Sequence, residues 1–507
     1  MKLTRLYKYA VAVSLVMLSS CIDDDSSYGD GGLSLPELSV NGGNENEMIV
    51  ANFNLGSQCI ISPDIQYSGS EDDLQYEWGV GTYDNQVKGE MEIVSHERDF
   101  SYFFNKGGMY YVHLSVTDGI VGIVQEYQVN INRTFENGYI LVSNDESGKG
   151  NLAFIKIMTP EEIEEGMEQV RMEDCLTRMN EGLGAEKLID VSIATLTWPK
   201  MITRLLAITE DKCYFLDPNA FTVIAEIKFS DTFQGFKASA FYPAYNPYVY
   251  DNKMKKFIHF DTNYMFGYEF GDYKGYAFDY IYNYPYVMWG STNYNSYYIT
   301  HNPEAISMYD AYWSYYGTPP FTSSEGVEAL EGHEILAAFP SDAMDMSIYA
   351  FHNYAITRSM ETNQLYFHEF NINNGFAVTQ SSEITSSGTI AAPVKDTPFA
   401  ISAKYSRWYY PVGNSVYVYL VSNSSAMPST DEYALRFPAN ETVTFMSVPN
   451  DDELYVATYD SSTKRGNFYI YNVADVRTDN PNAAPKESFK NCADKITNII
   501  YKASIAN

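Results

Sequence analysis

Leu205-Leu206-Ala207-Ile208-Thr209 runs into Glu210-Asp211-Lys212 and returns as Cys213-Tyr214-Phe215-Leu216-Asp217. Two short apolar runs, rich in aromatic and branched residues and parted by a polar turn, read as an antiparallel hairpin, to which Thr222 to Ile227 adds a third strand. The same form recurs from Tyr248 to Phe260, continuing to Phe270, and from Ala350 to Phe370 about Glu361-Thr362-Asn363-Gln364. It recurs again from Ala400 to Leu420 about Ser406-Arg407, and from Leu454 to Val473 about Ser461-Ser462-Thr463. Three- or four-stranded units repeating at roughly 50 residues predict a β-propeller, each unit one blade. The propeller is expected over 138–507, with room for seven or eight blades at roughly 40–50 residues each, and seven is the expected number.

One segment departs from this rhythm. Thr159-Pro160-Glu161-Glu162 has the order of an N-cap, a first-turn proline and a capping-box glutamate, and Ile163, Met167, Val170, Met172, Cys175 and Met179 follow at nearly helical spacing. The spacing predicts one inserted helix from about 160 to 181, closed by Gly182, with its methionines used in packing.

Upstream, between Met48 and Asn132, apolar and polar residues alternate with a period of two, which marks half-buried strands. Gln75-Tyr76-Glu77-Trp78-Gly79-Val80 sets Tyr76, Trp78 and Val80 opposite Glu77, and Tyr110-Tyr111-Val112-His113-Leu114-Ser115-Val116-Thr117-Asp118 buries Tyr110, Val112, Leu114 and Val116. A last strand follows in Gln125 to Ile131. Such strands, with one tryptophan in mid-domain, predict a small β-sandwich over 48–133. Residues 21–47, rich in Gly, Ser, Asp and Asn, read as a flexible acidic stalk with one short strand near Leu38.

The N-terminus reads as an export signal. Lys2, Arg5 and Lys8 precede an apolar stretch from Ala10 to Leu18 that is too short to span a bilayer stably, and residues 1–20 are the expected leader. Leu18-Ser19-Ser20-Cys21 resembles a lipobox, which implies cleavage before Cys21 and acylation of that cysteine. The acidic run Asp23-Asp24-Asp25 behind it resembles the surface-export signal of Bacteroidetes lipoproteins. The chain carries a net charge of -32, which deepens to -35 without the leader's three cations. That charge disfavours nucleic acid and anionic headgroups as partners.

Little catalytic chemistry is legible. Cys59, Cys175, Cys213 and Cys492 are too scattered for a disulfide framework or a zinc ribbon; they read as buried thiols, with a Cys213–Cys492 bridge as the minor alternative. His333-Glu334 lacks the second histidine of a zincin, and no nucleophile elbow or phosphate loop is present. His352 and His368 fall in one hairpin and could face each other, but no third ligand follows, so no metal and no cofactor is expected. Asn450-Asp451-Asp452-Glu453 lacks the ligand spacing of an EF-hand and reads as a solvated turn.

Tyrosine is the anomaly. Of 45 in the chain, 19 lie between Tyr242 and Tyr316. Tyr280, Tyr282, Tyr284 and Tyr286 alternate along an extended segment, and Trp289, Tyr297, Tyr298, Trp313, Tyr315 and Tyr316 follow in loop-like sequence. Tyrosine pairs a flat apolar ring with a hydroxyl, so these ten residues are the candidate ligand- or partner-binding set; the equal alternative is that they fill blade cores.

Tyr76-Glu77-Trp78, followed by Gly108-Met109-Tyr110-Tyr111-Val112 and the ending Val116-Thr117-Asp118, resembles a PKD domain, an immunoglobulin-like sandwich. The order of lipobox, acidic stalk, PKD-like domain and tyrosine-rich β region is similar to the PKD-like family lipoproteins of Bacteroides. The resemblance implies an outer-membrane, lipid-anchored protein facing the cell exterior, accessory to a SusC/SusD-type importer. Its partners would be the SusC-like barrel, the SusD-like lipoprotein, and a glycan or oligopeptide. The expected fold is thus all-β, sandwich then propeller, without enzymatic activity. A propeller-type polysaccharide hydrolase or lyase, and a surface adhesin or structural lipoprotein, are the alternatives.

Overall fold

The computed structural model describes residues 35–504 except 43–47, 56–57, 85–86, 105–106, 133–134, 165, 167–168, 185, 197–201, 243–246, 255, 263, 270–279, 289–290, 303–304, 311–320, 323–326, 341–351, 372–376, 396 and 403. The expected leader, Cys21 and most of the stalk lie outside the described residues. The chain divides into two compact units, the smaller drawn chiefly from Ile60–Ser101 and Tyr110–Gln128, the larger from Val129–Asn507.

The N-terminal strands form a five-stranded sheet in the order Ile49–Asn54, Gly122–Asn132, Gly108–Thr117, Gln75–Asp84, Val87–Ser95. Two short pairs accompany it, Leu38–Val40 with Ile65–Tyr67 and Gln58–Ile61 with Phe100–Phe103. The strand read near Leu38 is therefore paired, Leu38 opposite Tyr67 and Val40 opposite Ile65. Alternation along the sheet buries Trp78, Val112, Leu114 and Val116 completely, while Tyr110 is half-buried. Trp78 packs with its ring centroid 5.1 Å from that of Phe100 and 5.8 Å from that of Tyr127, both rings tilted against it, and its indole N–H donates to Glu97 O at 2.9 Å. Its large apolar body is thereby buried without an orphaned donor; truncating a tryptophan so placed costs about 3–5 kcal/mol.

Among the described residues the larger unit holds seven four-stranded antiparallel sheets, the repeating form of β-propellers. Six are consecutive meanders. They begin with the strands Leu188–Leu196, Ala240–Tyr242, Tyr280–Met288, His333–Pro340, Ala400–Ser402 and Glu441–Ser447. The seventh is assembled from both ends of the unit: Lys495–Lys502 pairs with Gly138–Asn144, followed by Gly150–Lys156 and Arg171–Met172. Apolar residues of adjacent sheets merge, as where Tyr409, Val416 and Val418 meet Val443, Leu454 and Tyr469, or where Tyr139, Leu141 and Ile155 meet Phe468, Phe489 and Ile496. Both faces of such a sheet are covered, which is why its central strands read as nearly continuous apolar runs.

The hairpins read from sequence match the strands Ile202–Thr209 with Lys212–Leu216, Tyr248–Asp251 with Lys256–Asp261, His352–Ser359 with Leu365–Asn371, Arg407–Val412 with Ala400–Ser402 and Ser415–Leu420, and Glu453–Asp460 with Arg465–Asn472.

The single helix expected over 160–181 is not formed. The capping box is real, since Glu162 N–H donates to Thr159 Oγ1 at 3.3 Å and Thr159 N–H to Glu162 Oε2 at 3.0 Å. The helix it starts covers only Pro160–Glu164, and Gly166 follows with a left-handed φ of +70°. Beyond it Arg171–Met172 pairs with Ile155 and Phe154, so the chain exchanges its own helical bonds for a ladder on the sheet edge. A second short helix, Cys175–Arg178, then lays Cys175, Leu176 and Met179 into the interior. Helical spacing of apolar residues was matched here by two separate turns around a strand, because tertiary pairing outweighs weak local propensity.

Candidate functional site

The expected tyrosine set is divided by the structure. Trp289, Trp313, Tyr315 and Tyr316 lie outside the described residues. The other six are placed by backbone register: Tyr282 is opposite Tyr297, Tyr280 opposite Ile299, Tyr284 opposite Asn295 and Tyr286 opposite Asn293. Tyr298 has the other parity, opposite Ile281 and Tyr309. Strand alternation thus separates Tyr298 from the Tyr280-to-Tyr286 series. Elsewhere in the tyrosine-rich region, Tyr248 and Tyr250 are buried packing, whereas Tyr264 is 78% exposed.

The side chains that could carry chemistry are held inside the sheets. In the sheet that begins with Glu441–Ser447, Glu441 is buried and accepts from Thr458 Oγ1 at 2.5 Å and Tyr469 Oη at 2.9 Å; Asn467 Nδ2 donates to Thr458 at 3.2 Å, and Lys490 Nζ lies 3.3 Å from Glu441. In the sheet that begins with Leu188–Leu196, Glu186 accepts from Thr209 Oγ1 at 3.0 Å and Tyr214 Oη at 3.2 Å, with Lys212 Nζ at 3.3 Å. In the sheet that begins with His333–Pro340, Thr357 Oγ1 lies 2.8 Å from both His333 Nδ1 and His368 Nε2, and His368 Nδ1 is 2.8 Å from Ser381 Oγ.

These networks share one backbone device. Thr209, Thr357 and Thr458 pair with Leu188, Ile335 and Val443, each directly before a one-residue bulge in the first strand, and Ser143 pairs with Ile496 before a bulge in the same way. A bulge leaves ladder groups unpaired and re-aims a side chain, and the buried hydroxyl stands where it can answer that polarity. Sequence reading missed this repeat, although Ala207-Ile208-Thr209 and Ala355-Ile356-Thr357 spell it identically.

His352 and His368 do not face each other: register sets His352 opposite Asn371 and His368 opposite Ala355. Among the described residues no group of three or more His, Cys, Asp and Glu is placed to hold a metal. Burial pushes the His368 pKa down to about 3, so its ring is neutral. The four thiols form no disulfide and are buried, Cys213 unbridged to Cys492, and burial pushes Cys59 up to about 11 and Cys492 up to about 12, which removes their thiolate reactivity. Asn450 Oδ1 accepts the Glu453 N–H at 3.0 Å, while Glu453 and Asp452 pair with Lys486 and Lys404, so Asn450 to Glu453 is a turn tied by ion pairs.

A pocket of about 470 Å³ opens on the smaller unit, lined by Leu74, Gln75, Tyr76, Glu77, His96, Ser115 and Thr117. Two adjacent strands build it, Gln75 opposite Thr117 and Glu77 opposite Ser115. His96 is held by Nδ1 at 3.1 Å from Tyr76 O.

No family model matches this chain, and no curated protein matches it. Among solved structures it is similar to a quinonprotein alcohol dehydrogenase-like protein from Bacteroides thetaiotaomicron, at a TM-score of 0.50 and 13% identity, covering 92% of this chain and 99% of that one. At this identity the likeness is one of fold, and it agrees with the all-β, propeller-like succession of four-stranded sheets.

Proposed function

We propose that the protein is a lipid-anchored surface lipoprotein whose N-terminal immunoglobulin-like, PKD-type sandwich stands on an acidic stalk and whose seven sheets form a seven-bladed propeller that binds rather than transforms its ligand. The propeller would be closed by the strand Lys495–Lys502, a reading supported by that strand's contacts with both Leu188–Leu196 and Glu441–Ser447. The observation that carries the binding role is the engagement of Glu186, Glu441, His333 and His368 with side chains of their own sheets. Acids and imidazoles so held serve packing, which leaves aromatic surface as the means of recognition.

The setting follows from the lipobox and the family resemblance: an accessory subunit of a SusC/SusD-type importer, capturing glycan or oligopeptide at the outer membrane. Cys21→Ala tests the anchor. Loss of acyl labelling and release to soluble fractions is expected, with cleavage of the wild type by protease added to intact cells. Alanine at Tyr284, Trp289 and Trp313 tests recognition by pull-down of importer subunits alongside a thermal melt. Lost capture at an unchanged melting temperature supports the reading; unfolding without lost capture by the folded fraction makes the cluster packing. Turnover of any glycan or peptide by the purified protein would establish the rival hydrolase or lyase.

A further inference from the structure

We propose that the pocket on the smaller unit, between Glu77, Ser115 and His96, is a binding site for a primary ammonium group. The site is separate from the tyrosine-rich region and stands independently of the anchoring and of the role given to the propeller.

Its polar atoms are mainly acceptors. Glu77 has no ion pair or side-chain hydrogen bond among the described residues, and neither does the hydroxyl of Ser115, its cross-strand partner. Tyr76 O can only accept, so the proton of a neutral His96 ring sits on Nδ1 and Nε2 offers a lone pair. Thr117 is already engaged: its hydroxyl donates to Val121 O at 2.8 Å and accepts the Gly119 N–H at 3.0 Å. A carboxylate, a hydroxyl oxygen and an imidazole lone pair match the three donors of an ammonium group.

Charge points the same way. No Lys or Arg lines the pocket, the acidic turn Glu71–Asp73 directly precedes Leu74, and the chain carries a net charge of -32. Phosphates and carboxylates are therefore repelled. A neutral sugar is less well served, since only Gln75 and Ser115 can donate and no exposed aromatic ring lines the walls. A lysine side chain of a peptide and an amino sugar both present a primary ammonium group.

The full chain, titrated calorimetrically at pH 7 with Nα-acetyl-glycyl-lysyl-glycine, whose only ammonium is the lysine's, and with glucosamine, distinguishes the two sources. Each probe is matched by its acetylated form, the Nε-acetyl-lysyl peptide and N-acetylglucosamine. Saturable binding of at least one amine is expected, weakened roughly tenfold or more by acetylation and by Glu77→Gln, because a hydrogen bond to a charged group is removed. Glu90→Gln, an equal charge change at an exposed position of the neighbouring strand, is expected to leave affinity within about twofold. Peptide binding alone assigns a lysine ligand, and glucosamine binding alone assigns an amino sugar. The proposal is overturned if neither amine binds saturably, if acetylated probes bind equally, or if Glu90→Gln weakens binding as much as Glu77→Gln. A thermal melt of Glu77→Gln matching the wild type confirms that the loss is local.

Discussion

The buried ammonium of Lys502 donates to Asn219 Oδ1 at 3.1 Å, tying the last strand of the chain to a loop of the sheet that begins with Leu188–Leu196. The same ammonium donates to Glu136 O at 3.0 Å and to Phe135 O, where the chain enters Gly138–Asn144. One cation thus fastens the two chain segments that meet in the composite sheet, the entry to Gly138–Asn144 and the end of Lys495–Lys502.

Burial lowers the Lys502 pKa from 10.5 to about 8. Between those values the unfolded chain binds more protons than the folded one, so this group's contribution to stability rises with pH across the window. Lys502→Met removes that dependence. The stability difference between wild type and variant, from denaturant melts, is expected to widen in favour of the wild type from pH 8 to 10, by about 3 kcal/mol at most. A constant difference would show that the ammonium is not desolvated.

Thr458→Val keeps shape but takes a donor from buried Glu441, and is expected to cost about 1–3 kcal/mol. Glu441→Gln perturbs the same network through Thr458 and Tyr469. Their double mutant should be less destabilised than the sum of the singles, the coupling being read from a double-mutant cycle of urea unfolding.

His368 gives an acid-side test with its own sign. Its folded pKa, about 3, lies below the ordinary value of 6.5, so the unfolded state binds the extra proton between them and stability falls as pH drops through that window. His368→Phe should lack this loss, which is about 4 kcal/mol at most for the wild type. Equal decline of both proteins from pH 7 to 4 would remove His368 from the account.

The buried thiols predict a labelling pattern. Native Cys21→Ala protein should react with none of Cys59, Cys175, Cys213 and Cys492 on the timescale of thiol-reagent assays, and all four should react in guanidinium. Fewer than four after unfolding would indicate a bridge.

Much of the fold was legible because it is local. A strand–turn–strand unit such as Leu205 to Asp217 is specified by residues a few positions apart, and the capping box at Thr159 and Glu162 forms as its spacing requires. Trp78 was likewise readable as a core residue from period-two alternation. The functional reading was less accessible. The tyrosines at 280 to 286 alternate as expected along one strand, but spacing across the turn could not show that Tyr297, and not Tyr298, is the one paired with a member of that series, Tyr282.

What the sequence by itself determined is the all-β class and the repeating hairpins, since each is written in contiguous residues. Only the tertiary structure decided that Lys495–Lys502 completes the sheet of Gly138–Asn144, that Arg171–Met172 interrupts the expected helix, and that Thr458 meets Glu441 while Thr209 meets Glu186. These pairings join residues brought together by register and sheet-on-sheet packing, and their free energy comes from burying partners that no local window contains.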